Sequence, residues 1–315
     1  MRRVGSRRQR TIKQPVQVRG IGFITAADIQ VRFLPAPENS GIVFRRIDLP
    51  GHPEIPAHVT RVTGTQRRTT IGQGAVQVCL VEHVMAALAG LRIDNCTVEI
   101  DGLEPPGLDG SALEFTESLL HAGILPQNAS RTIYSVLAPC GIQTGKTSIT
   151  LHPARDQELR ASYFLDYGPN APMARQCFTG DITPSSFAQE VAPCRTFILE
   201  SERAFLLSQG IGARTTPKDV IVFGPSGPID NRLRFANEAA RHKVLDILGD
   251  LALLGIELAG HVVACRSGHP LNVALGQDLW TRAQEYGVSS FRGRSALEEG
   301  ASSRREECGP VRRAA

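Results

Sequence analysis

The sequence predicts an α+β chain whose two halves repeat one kind of unit. Most segments with a clear hydrophobic period alternate in twos, as half-buried strands do, and only a few carry the helical period. Each half also places a helix, a glycine and a strand in succession: 81–88, Gly90 and 96–100 in the first, 237–254, Gly255 and 256–265 in the second. With 315 residues, 42% of them hydrophobic, the chain can form one large or two small domains without staples.

Residues 1–13 carry six positive charges and no acid, so residues 1–10 are expected to form a disordered basic arm. Val16 and Val18, then Ile29, Val31 and Phe33, alternate with polar residues as strands. Pro35, Pro37, Asn39 and Gly41 turn the chain before a strand at 42–47. Small and apolar residues surround 81–88 on most sides, a short buried helix that Gly90 can cap. A strand at 96–100 ends in the Asp101-Gly102 turn. The loop Pro105-Pro106-Gly107 leads to Ser111, whose spacing to Glu114 is a capping box for a helix ended by Gly123.

The polar stretch 127–131 after Pro126 marks a boundary between a first domain at 11–127 and a second at 128–291. In the second, strands are expected at 132–137, 148–151 and 159–165. A helix over 201–209, capped by Gly210, and a strand at 220–223 follow, then the long helix and the strand 256–265. Residues 292–315 turn to Gly, Ser, Glu and Arg and read as a disordered tail.

Seven cysteines, an odd number with no C-x-x-C pair, exclude a disulfide framework and a four-cysteine zinc ribbon. No run approaches ~18 apolar residues, so no transmembrane segment is expected. The basic start is not followed by the apolar run of a secretory signal, and the expected location is the cytoplasm. The formal charge of +4 resides in the first 13 residues, leaving a net −2 on the rest, so no nucleic-acid partner is expected.

The long helix carries the most chemistry. His242, Asp246 and Asp250 fall on one line at i, i+4 and i+8, with Val244, Ile247, Leu248 and Leu251 on the opposite face. Such a line is either a solvated face or a site. Short acids in place of long Lys and Glu, and Gly249 in the helix interior at a cost of ~1 kcal/mol, point to something that approaches the backbone closely. His242 and Asp246 can share one ion, and His83 is the best third ligand. Near the start of an apolar helix the dipole keeps its imidazole neutral; the alternative is a packed core histidine. Glu82 beside it is a buried acid that needs a role or a partner, and a carboxylate next to a metal site can take a proton from water. Two histidines and an aspartate leave one coordination position open, the arrangement of a catalytic zinc site. The turn Arg266-Ser267-Gly268-His269 presents a further histidine, whereas His261 within the preceding strand reads as a packing residue.

These pieces occur in a fixed order: Leu80-Val81-Glu82-His83-Val84-Met85-Ala86-Ala87-Leu88, Ile93-Asp94-Asn95, Leu108-Asp109-Gly110-Ser111-Ala112, Arg195-Thr196-Phe197, the stretch from Arg241 to Leu251 and Ser267-Gly268-His269-Pro270-Leu271-Asn272. Over about residues 11–285 the chain resembles the UDP-3-O-acyl-N-acetylglucosamine deacetylases of bacterial lipid A synthesis. The resemblance implies two similar α+β domains, each a sheet against helices, with the active site in the cleft between them. It implies a zinc-dependent hydrolase that removes acetate from the UDP-linked, 3-O-acylated sugar in a Gram-negative-type bacterium, acting as a monomer. It implies His83, His242 and Asp246 as ligands to Zn2+, with Fe2+ an alternative that imidazole and carboxylate suit equally. Glu82 becomes the general base and His269 the cation that stabilises the oxyanion or protonates the leaving amine. Asp250 orients His269 and Thr196 bonds the oxyanion. Lys243 contacts the nucleotide phosphates or sugar, Phe197 lines the acyl passage, and Asp166 and Tyr167 stand near the uracil. Leu80 replaces the family's threonine and Ile24 its histidine; Cys194 is a further local difference.

A nucleotide-sugar binding homologue without catalysis is the rival class. Such a module has no need of both a base, Glu82, and an acid, His269, beside an open metal site. Nucleic-acid binding through residues 1–13 would instead show steep salt dependence.

Overall fold

The computed structural model describes residues 1–287. Along the chain, β1 (Arg2–Ile12) is followed by β2 (Val16–Ile21), β3 (Asp28–Pro35), β4 (Ile42–Arg46) and β5 (Glu54–Pro56). Then come three short strands, β6 (Val62–Gly64), β7 (Thr70–Gln73) and β8 (Val76–Val78), before α1 (Glu82–Gly90), β9 (Cys96–Ile100) and α2 (Leu113–Ala122). The long β10 (Ile124–Ser135) leads to β11 (Cys140–Thr144), β12 (Thr147–His152), β13 (Leu159–Leu165) and β14 (Gln176–Ile182). A short turn α3 (Pro184–Ser186), strand β15 (Phe197–Leu199), helix α4 (Glu200–Ser208) and strands β16 (Ile221–Gly224) and β17 (Gly227–Pro228) follow. The chain then runs through α5 (Glu238–Ala252), β18 (Glu257–Leu258), β19 (Gly260–Cys265) and α6 (His269–Glu285).

Pairing shows the duplication. The first unit orders its main sheet β2-β3-β9-β4-β5, and the second β11-β12-β19-β13-β14. In both, every neighbouring pair is antiparallel except the third, β9 with β4 and β19 with β13. In both, a helix precedes the central strand and another follows it, and a three-stranded sheet is inserted before that helix. The alternation of Ile29, Val31 and Phe33 explains the sheets: these three are buried while Gln30 and Arg32 are not. The helices fill the space between. α2 lies on β2, α5 on β13 and β14, α6 on β11 and β12, and α1 packs along α5.

Two boundaries differ from the sequence expectation. Residues 1–10 are not a disordered arm but most of β1, which pairs antiparallel with β10. One of its arginines finds acids far along the chain: Arg7 grips Asp94 through Nη1 at 2.7 Å and Nη2 at 2.9 Å, and also pairs with Glu257 at 2.7 Å. Composition could not show those partners. The boundary placed at 127–131 falls in the interior of β10, so the two units are joined by a strand rather than a loop. Because Asp94 is buried, Arg7→Ala should cost about 1–3 kcal/mol, a fall of several degrees in Tm. An unchanged melting curve would mean that the arginine is merely solvated.

Smaller differences have local causes. Asp109, not Glu114, completes the start of α2: its Oδ1 accepts from both the N–H and hydroxyl of Ser111, whose Oγ accepts from Leu113 N–H. Gly90 is the last residue of α1 rather than its cap, and a Cβ there would lie 2.3 Å from the Phe187 ring. The strand expected over 256–265 breaks into β18 and β19. His261 is only half-buried, with its Nε2 2.8 Å from Ser162 Oγ. The expected tail at 292–315 lies outside the described residues.

Candidate active site

α1 and α5 bring the predicted residues together. The chain reaches α1 through Leu80, whose φ of 53° is unusual for a residue with a β-carbon. Glu82 opens α1 and His83 follows in its first turn. Opposite Glu82, Gly249 presents no side chain to α1. A Cβ at Gly249 would sit 2.1 Å from the Glu82 carbonyl oxygen.

His83 Nε2 is 3.8 Å from Asp246 Oδ1, and His242 Nε2 is 3.3 Å from the same oxygen. One donor atom from each of the three residues lies within 4.8 Å of the other two. Donors about 2 Å from one ion must be within roughly 4 Å of each other, so this group is close to ligating geometry. Among the described residues no other such group of three donors occurs.

The protonation states also suit a cation. The Cys194 carbonyl accepts the Nδ1–H of His242 at 3.0 Å, which leaves its Nε2 lone pair for the site. That gives the unexplained Cys194 position a function carried by its backbone. Burial, with His242 adjacent, pushes His83 down to about 3, and burial also lowers His242. Asp246 lies well below the usual carboxylate range: burial opposes its charge, but Lys243 and the histidines outweigh it. Lys243 Nζ donates to Asp246 Oδ2 at 2.9 Å, so Oδ1 is the oxygen turned to the imidazoles. Two neutral imidazoles and a carboxylate form a group able to hold a divalent metal ion.

Beside them lies a second pair. His269 is the first residue of α6, not part of a free turn, and its Nε2 is 3.7 Å from Glu82 Oε1. Burial raises the pKa of Glu82. Burial disfavours the charge on His269, yet Asp250 and Glu82 reverse this and raise its pKa. Asp250 is fully buried and accepts from His269 Nδ1 at 2.9 Å. A carboxylate with a raised pKa can take a proton from water near neutral pH, and an imidazolium can donate to an oxyanion.

The site opens into a cleft of about 1020 Å3 between the two units. Glu82, His83, His242, Asp246 and His269 line it, as do Thr196, Phe197, Lys243 and Tyr167. Thr196 is fixed by backbone bonds to Gly110 and Ile221, and the preceding Arg195 is anchored to the fully buried Glu238 at 2.8 Å. Lys243 Nζ stands 5.5 Å from the centre of the Phe197 ring, and Tyr167 packs edge-on against that ring at 5.9 Å. Ile24 and Leu80 line the apolar side of the cleft with Phe23, Ile198 and Leu206. Asp166, next to Tyr167, is not itself among the residues that line the cleft. Its carboxylate turns to Arg266 at 2.6 Å and Arg175 at 3.1 Å, which hold its pKa low.

Sequence reasoning missed Thr69 and Asn272, both buried against Asp250. Thr69 reaches its partner across 181 residues, and no local pattern encodes such a contact. Among the described residues no helix is long and apolar enough to cross a membrane.

The chain matches the family model of the UDP-3-O-acyl N-acetylglycosamine deacetylases over residues 9–281. It is 38% identical over 277 residues to a UDP-3-O-acyl-N-acetylglucosamine deacetylase of Nostoc sp. (86% of this chain, 98% of the relative). It is 39% identical over 279 residues to the protein of that name from Chlamydia felis (88% and 99%). A bifunctional LpxC/FabZ enzyme of Chlorobaculum tepidum is 38% identical over 298 residues (86% of this chain, 64% of that protein). Two duplicated α+β units closing on a His/His/Asp group able to hold a metal ion, with a carboxylate and an imidazole beside it, therefore belong to a chain of the UDP-3-O-acyl N-acetylglycosamine deacetylase family.

Proposed function

We propose that the chain hydrolyses the N-acetyl group of UDP-3-O-acyl-N-acetylglucosamine, releasing acetate and UDP-3-O-acyl-glucosamine for lipid A synthesis in the cytoplasm, with zinc held by His83, His242 and Asp246. The observation that carries this reading is the juxtaposition of three ligating donors within 4.8 Å with the Glu82–His269 pair at 3.7 Å. A module that only binds has no use for a proton acceptor and a cationic donor beside the same open position.

When bound, zinc supplies Lewis-acid polarisation of the amide carbonyl and a more acidic attacking water. Glu82 accepts a proton from that water as it adds to the carbonyl carbon. The oxyanion that forms receives hydrogen bonds from His269 Nε2 and the Thr196 hydroxyl. As the C–N bond breaks, the leaving nitrogen takes up a proton that His269 donates, and Asp250 keeps the imidazole charged and oriented until then. Lys243 is a fixed positive charge for the nucleotide-sugar, and Phe197, Ile24 and Leu80 give the acyl chain apolar contact.

Acetate release from UDP-3-O-acyl-N-acetylglucosamine by the zinc-reconstituted chain tests the reading. Chelation should abolish turnover and added zinc should restore it. His83→Ala, His242→Ala or Asp246→Ala should each leave less than about one hundredth of the activity and lower the zinc retained after dialysis. Full retention of zinc by all three variants would sink the ligand assignment.

A further inference from the structure

Thr69 immediately precedes β7, in the small sheet inserted into the first unit, and is completely buried. It touches the proposed proton-transfer machinery at three points. Its N–H donates to Glu82 Oε2 at 3.0 Å, and its hydroxyl donates to Asp250 Oδ1 at 2.5 Å. The same hydroxyl oxygen lies 3.4 Å from His269 Nδ1. Its carbonyl accepts from Val81 N–H at 3.3 Å, so the backbone is pinned to the start of α1.

The contacts to Glu82 and Asp250 each select one oxygen of a carboxylate. With Oε2 of Glu82 held by the Thr69 N–H, it is Oε1 that stands 3.7 Å from His269 Nε2. Oδ2 of Asp250 receives His269 Nδ1 and Asn272 Nδ2, both at 2.9 Å, and the Thr69 hydroxyl occupies the opposite oxygen. A carboxylate held at both oxygens cannot rotate, and neither can the imidazole it orients. The hydroxyl also ties the first unit to the second, because Thr69 adjoins β7 and Asp250 lies on α5.

We infer that Thr69 is a positioning residue whose hydroxyl fixes the Asp250 carboxylate, and through it His269, in line with the proton acceptor Glu82. This rests on the function proposed above. No ligand to the metal is touched, so the effect should appear in turnover and not in metal retention or substrate binding.

Thr69→Val keeps the shape and removes the hydroxyl; Thr69→Ser restores it. In acetate-release assays of the full zinc-loaded chain, Thr69→Val should lower kcat by about 10- to 100-fold, the scale of a misplacement near 1 Å. Its KM should stay within about threefold, and Thr69→Ser should return kcat to within about threefold of the parent. A parental kcat in Thr69→Val, a Thr69→Ser as impaired as Thr69→Val, or a loss confined to KM would each overturn the inference. An independent readout is the downfield Nδ1–H proton resonance of His269, identified by its absence in His269→Ala. It should move or broaden in Thr69→Val and persist in Thr69→Ser. Should the parent protein release no acetate, the functional reading fails, and an unchanged resonance in Thr69→Val would then reject the positioning role separately.

Discussion

Glu82→Gln lowers acetate release by about 10²–10³-fold while the protein stays folded and keeps its metal. Glutamine fills the same space but has no carboxylate to take a proton from water. The change should not destabilise the fold, because Glu82 is 2% exposed and its charged form is disfavoured by burial. His269→Ala should reduce turnover by a similar ~10²–10³-fold, the usual loss on removing one oxyanion donor. It also leaves Asp250 without one of its donors, so a modest fall in Tm accompanies it. The double variant should be little worse than the poorer single one, since both groups serve one proton path. Near-parental release from either single variant would refute the assigned roles. Metal content measured on the same preparations separates loss of chemistry from loss of the ion.

What the sequence reveals of this site follows from where the information is stored. His242, Asp246 and Asp250 share one helix face, and helical geometry alone aligns them. The interior glycine at 249 was readable as a sign of close approach, and the closest atom is the backbone of Glu82. The residues that complete the site are joined by tertiary contact instead. Thr69, Asn272 and the Cys194 carbonyl reach their partners across 181, 22 and 48 residues. A hydroxyl or a carbonyl is common everywhere, so only the fold distinguishes these.

The same reasoning explains the element differences. β2, β3 and β9 alternate cleanly because one face is buried and the other solvated, and period two survives in the sequence. β1 carries five arginines, of which Arg7 is half-buried by salt bridges while Arg2, Arg3 and Arg8 stay exposed, so its pattern reads as solvated charge. β10 contains Pro126 and a polar run that would mark a linker in isolation, yet it pairs on one side with β1 and on the other with β18. Asp166 is placed by likeness to a position, and its ion pairs with Arg175 and Arg266 are contacts no likeness records.

Gly249→Ala should disable the enzyme without changing any group that takes part in the chemistry. In most helices alanine is better than glycine by up to ~1 kcal/mol, so propensity alone predicts stabilisation. Here the new Cβ would lie 2.1, 2.7 and 2.9 Å from the O, C and Cα atoms of Glu82. All three are backbone atoms, so no rotamer can relieve the clash, and α1 must withdraw from α5 by roughly an ångström. Overpacking of this kind costs about 1–3 kcal/mol, which more than offsets the propensity gain. The shift separates Glu82 and His83 from His242, Asp246 and His269, and a misplacement near 1 Å costs about 10²-fold in turnover. Weaker zinc retention accompanies it, because His83 moves with α1. Gly276→Ala in α6 is the control: its Cβ would meet only Val59 Cγ2, at an ordinary 3.4 Å. That variant should melt no lower than the parent and keep its activity. If Gly249→Ala behaved like Gly276→Ala, the closeness of α1 and α5 would not be what assembles the site.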